Sequence, residues 1–171
     1  MKIYKGRVSL MATEIAQTLI DQKAIEVNDE DRSELILDIE SVFNAYIDTE
    51  RRIHEEAQDL ITKRGADFTS LGRFKRELAR KYNFGLDDDA IDWLTDQIIE
   101  MLFHTAHVEE IWVENSDLRR ISRGVILKHS DVDNELDVEV RKKIKNLSEG
   151  SVAWDVKYQQ VLRDLKRQKG L

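Results

Sequence analysis

Residues 134–158 read NELDVEVRKKIKNLSEGSVAWDVKY. Two helix starts flank one loop here. Asp137 is placed to cap a short helix over 138–147, and Ser151 to cap another that opens with Val152, Ala153 and Trp154. In each case a short oxygen-bearing side chain just ahead of a helix accepts from its first free amides. Trp154 and Tyr158 stand four residues apart, the spacing of a pair that faces a core, with indole N–H and phenol O–H satisfied near its edge. A weaker copy of the first pattern lies at 52–61.

Outward from this stretch the composition agrees. The 171 residues contain no proline and seven glycines, the two residue types that helix interiors exclude. Charged residues make up 36% of the chain, against about 25% in an average protein. An all-α fold of about six helices follows. There is no cysteine, which removes disulfides, thiolate metal sites and cysteine nucleophiles together. The first residues have neither the apolar core nor the cleavage site of a secretory signal. The longest apolar runs are near six residues, where a membrane span needs about 20. A soluble, cytoplasmic protein without membrane contact is expected.

Taken in order, the first helix spans 5–23 with Val8, Met11, Ile15 and Leu19 on one stripe. Residues 24–28 connect, with Ile25 and Val27 extended across the core. Asn28 or Asp29 caps a second helix bearing Leu35, Ile39, Val42 and Tyr46. Whether 29–63 is one helix or two stays open. Lys63, Arg64 and Gly65 form a stop. Thr69 or Ser70 begins a third helix, with Leu71, Phe74, Leu78 and Tyr82 inward. Asp87, Asp88 and Asp89 cap the fourth, over 90–107, and complement its dipole. Asn115 or Ser116 caps the fifth. Gly124 inside it marks a close contact or a kink.

The pattern repeats at an offset of 83. Val8, Met11, Ile15 and Leu19 match Ile91, Leu94, Ile98 and Leu102, and Leu35, Ile53 and Ile61 match Leu118, Leu136 and Ile144. Agreement across connections as well as within helices points to two tandem, duplicated three-helix halves, 1–85 and 86–171. Charge follows the same division: 86–140 balances to −11 and 141–171 to +6, while 62–81, near the end of the first half, reaches +5.

The segment from Leu136 to Ile144, then Gly150-Ser151, Trp154-Asp155-Val156-Lys157-Tyr158 and the basic ending from Lys166 to Gly170, resembles the bacterial family catalogued as domain of unknown function 507 (DUF507). The N-terminal half fits more loosely. The resemblance implies an all-helical bacterial protein and carries over no activity, cofactor or catalytic residue.

No hydrolase elbow or phosphate-binding glycine loop is present, so no catalytic residue and no cofactor are expected. Glu100, His104 and His107, at i, i+4 and i+7, are the one metal-type set, and a metal-dependent enzyme built on them is the least favoured reading. The favoured function is a non-enzymatic protein–protein interaction, adaptor or regulatory module. Its partner is an unidentified protein or a second copy of the chain as a homodimer, and its candidate surface is Lys142, Lys143, Trp154, Asp155, Tyr158, Arg163 and Arg167. The alternative is an RNA- or ribosome-associated factor that uses the basic last helix of each half.

Overall fold

The computed structural model describes residue 3, residues 5–147 and residues 152–168, with only the backbone described for 131–134, 152 and 155. Ser151, Gly150 and the chain's last three residues lie outside it. Among the described residues there are six α-helices: α1 (Val8–Asp21), α2 (Arg32–Arg64), α3 (Leu71–Lys81), α4 (Ala90–His104), α5 (Asn115–Lys143) and α6 (Val152–Gln168). Two short strands, β1 (Ile25–Glu26) and β2 (Glu110–Ile111), pair antiparallel, with Ile25 opposite Ile111. The chain forms two compact units, 1–126 and 127–171. They do not coincide with the halves 1–85 and 86–171, which divide the sequence pattern.

In the first unit α2 packs against α1, α3 and α4. It is one helix of 33 residues, about 50 Å long at 1.5 Å per residue. Leu35, Ile39, Phe43, Tyr46, Ile53, Ala57 and Ile61 are buried along it, so the core stripe runs on past Asp48-Thr49 and nothing ends the helix there. Phe43 takes the inward place expected of Val42, which is only half-buried. Gly65 closes the helix in the left-handed region (φ 59°), donating its N–H to the Ile61 and Thr62 carbonyls, where a Cβ would be strained. Met11, Ile15 and Leu19 of α1 and Leu94, Ile98 and Leu102 of α4 complete one continuous core.

Several expected caps are replaced. Asp31, not Asn28 or Asp29, precedes α2, and neither it nor Asp89 before α4 makes a side-chain cap bond. Asp87–Asp89 instead form a 3-10 turn, with Asp87 at φ 53°. The fifth helix does not stop before Asp137: α5 runs unbroken through it, so Asp137 is an interior residue. Tyr82, expected inward, is 36% exposed, and its hydroxyl donates to Glu56 at 2.8 Å.

The offset of 83 reappears in the element positions. Moving α1 by 83 lands on 91–104, where α4 is Ala90–His104; moving α2 lands its start on the first residue of α5; moving α3 falls inside α6. The β1–β2 register shares this relation. Continued outward, it sets Asn28 opposite Val108, the shifted counterparts of Ile111 and Ile25, and Asn28 Nδ2 there donates to Glu109 Oε1 at 2.7 Å.

In the second unit the last part of α5 and α6 form a hairpin. Leu136, Val140, Ile144, Leu162 and Leu165 are buried between them, with Trp154, Tyr158 and Val161 packed against that cluster.

Candidate interaction groove

The surface expected from sequence in the second unit divides in two. Trp154 and Tyr158 turn toward α5. Their rings stack at 4.9 Å, the Arg141 guanidinium lies 5.5 Å over Trp154, and the Tyr158 hydroxyl donates to Asp137 Oδ1. Arg141 Nε donates to the other carboxylate oxygen at 2.7 Å. Desolvation pushes the Asp137 carboxyl up, but the bonds from Tyr158 and Arg141 and the charge of Arg141 outweigh it and hold the group below its ordinary range. This cluster ties the hairpin together. Lys142, Lys143, Arg163 and Arg167 are exposed, with the two arginines one turn apart on α6. The Asp155 side chain lies outside the described residues.

Glu100, His104 and His107 do not share a helix face. The chain leaves the helix at Thr105 (ψ 146°), so the i, i+7 relation never forms. His104 Nδ1 donates to the Glu100 carbonyl at 2.7 Å. His107 Nδ1 lies 2.8 Å from Asp38 Oδ2 on α2. The Thr105 hydroxyl donates to the same oxygen, and the His107 N–H donates to the Thr105 hydroxyl at 3.1 Å. The hydrogen bond to Asp38 raises His107 above its ordinary range; partial desolvation opposes it, and the charges of Asp38, Asp31 and Glu34 add to it. Among the described residues no three His, Cys, Asp or Glu side chains are grouped to hold a metal.

These contacts close one end of a groove between α2 and α4. Its walls carry Val42, Ala45, Trp93 and Met101, with Ser41, Gln97, Glu100 and His104 beside them, around about 360 Å³. Val42, Trp93 and Met101 are half-buried. At the other end Trp93 belongs to a stack. Tyr46 and Phe84 lie 4.7 Å apart between centroids and Phe84 and Trp93 4.9 Å, and Trp93 Nε1 donates to the Asn83 carbonyl at 2.8 Å. Two other recesses, of about 480 and 660 Å³, are ringed by charges of both signs, among them Lys63, Arg64 and Glu77 in the first and Arg51, Lys75 and Asp87 in the second. The α2–α4 groove has no Lys or Arg on its lining and one carboxylate, Glu100. Sequence reasoning missed it. Its signal is a second stripe on α4, Trp93, Gln97 and Met101, beside the core stripe of Leu94, Ile98 and Leu102.

The family described as "Protein of unknown function (DUF507)" has a model that matches residues 1–171, and the chain belongs to that family. A search of curated proteins found no match.

Proposed function

We propose that this member of the DUF507 family is a non-enzymatic interaction module whose α2–α4 groove receives a helix from a protein partner. The make-up of the groove carries the reading: three large, half-buried apolar side chains, Val42, Trp93 and Met101, in a trough free of Lys and Arg. An amphipathic helix recognised through i, i+3/i+4 and i+7 anchors fits such a trough, and a thioether in the wall adapts to the shape of what enters. The ends are braced by the Asp38–Thr105–His107 contacts and by the aromatic stack, so the trough is formed before a partner arrives, which limits the ordering cost of binding.

Duplication of one helical unit, with 1–85 and 86–171 as its copies, is part of this proposal; the shared offset of helices and of strand register supports it.

A second reading takes the exposed cations of each half's last helix as an RNA face. Arg73, Arg76 and Arg80 are exposed along α3. Arg76 and Arg80, however, share a recess with Asp87, Asp88 and Asp89, which weakens their pull on a polyanion.

Ala45 is exposed, so Ala45→Glu obstructs the groove while the core stays intact. Affinity capture from bacterial lysate, with nuclease, is expected to retain a defined protein on the wild-type chain and lose it on Ala45→Glu. Captured material that disappears with nuclease, survives Ala45→Glu and is lost when Lys142, Lys143, Arg163 and Arg167 are reversed to Glu would replace the groove reading with the RNA reading.

A further inference from the structure

Glu34, Asp38, Ser41, Ala45 and Asp48 recur along α2 at spacings of four and three and so share one stripe, of which Ser41 and Ala45 line the groove. Glu100 borders it from α4. Two of these carboxylates are occupied: Asp38 by Thr105 and His107, and Asp48 by Arg51 at 3.1 Å. Glu34 and Glu100 have no ion-pair partner among the described residues. The cation that continues the α2 stripe, Arg52, is held 5.6 Å over the Tyr82 ring. Asp92 and Asp96 of α4 are directed to Arg123 and Arg119 of α5. The trough is therefore apolar at its floor and free of Lys and Arg on its lining, with Glu100 on its α4 edge and Glu34 one turn beyond the Asp38 contacts that close its end.

The offset of 83 sharpens this. At the matching positions of the other half, Leu10 stands for Trp93, Thr18 for Met101, Glu14 for Gln97 and Lys128 for Ala45. At these matching positions the other half carries neither the indole nor the thioether, and has a Lys where Ala45 stands.

We propose that the occupant of the groove is a basic amphipathic helix, with two or three large apolar side chains at i, i+4 and i+7 and Lys or Arg flanking them toward Glu34 and Glu100. This rests on the groove reading above and adds the chemistry of the partner. Opposite charges at the edges of such an interface set partner choice and association rate, while the apolar anchors hold the complex.

The test is a phage-displayed library of helix-constrained peptides, selected on the full chain with Ala45→Glu as the counter-target. Enriched peptides are expected to carry a net positive charge beside an apolar stripe. They are expected to bind Glu34→Lys/Glu100→Lys about tenfold more weakly, and to lose affinity as salt rises. Peptides that are sensitive to Ala45→Glu but neutral or acidic would overturn this inference and leave the groove reading standing. No Ala45→Glu-sensitive peptide at all would overturn both. A chain that sediments as a dimer, excludes every peptide and becomes monomeric in Ala45→Glu would give the groove to a second copy and overturn the basic-helix assignment.

Discussion

A methyl group at Gly124 would enter open space, since a Cβ there has no neighbour within 4 Å, and the residue lies inside α5. The close contact expected of this glycine is therefore absent, and α5 runs unbroken through it. Gly124→Ala is expected to stabilise the chain by about 0.5–1 kcal/mol, chiefly by reducing the freedom of the unfolded backbone; urea melts read this directly. Gly85 is the opposite case. A Cβ there would run into Trp93 Cβ and the Asp89 carbonyl oxygen, both fixed in the turn that starts α4. Gly85→Ala is expected to cost roughly 1–3 kcal/mol, and an unchanged midpoint would show that the turn relaxes freely. His107 offers a titration. Its folded pKa is raised, so the Asp38 contact adds stability that is complete below the unfolded imidazole value near 6.5 and is lost as pH rises through the folded value. In an NMR titration Asp38→Asn is expected to bring the His107 pKa down; no change would remove Asp38 as the cause. None of these roles was legible from residue type alone. Two glycines or two histidines differ here only in what the fold places beside them.

At the scale of elements, what could be read from sequence and what could not have the same cause. The apolar stripes located all six helices because they record burial along each helix. Breaks were harder, because an acidic residue beside an apolar run looks like a cap. Asp137 was read that way, yet α5 continues through it because Tyr158 and Arg141 take up its carboxylate, leaving the side chain no need to compete for backbone amides. The groove was hidden for a different reason. Its walls come from helices some 50 residues apart in sequence, and only the second apolar stripe of α4 hinted that this helix has two contact faces. If the Tyr158–Asp137 bond ties α6 to α5, Tyr158→Phe is expected to destabilise the hairpin by about 1 kcal/mol and to return the Asp137 carboxyl toward its ordinary range. Because that carboxyl is depressed in the folded chain, its contribution is present above the unfolded value and is lost as pH falls through the folded one. The wild-type hairpin should therefore lose more on acidification than the Phe variant, in which only Arg141 still holds the carboxylate. Parallel acid titrations of the two would show the contact to be incidental.

For the molecule as a whole the consequence is unequal cooperativity. The first unit has a core that runs from Ile3 to Ile126 and draws on five helices. The second buries Leu136, Val140, Ile144, Leu162 and Leu165 between two helices. With a buried cluster this small among the described residues, a unit spanning 127–171 has little surplus stability of its own. Such segments open below the global unfolding free energy. Native-state hydrogen exchange is expected to show amides of 136–144 and 158–165 exchanging through an opening of lower free energy, and of smaller urea dependence, than those of 35–46 and 94–102. Equal free energies with equal urea slopes would mean that the units unfold as one, and Tyr158→Phe would then lower protection in both. With separate opening, the same variant speeds exchange in 127–171 and leaves the α2 and α4 amides around the groove as protected as before. The groove would then hold its form whether or not the hairpin is closed, as a preformed binding trough requires.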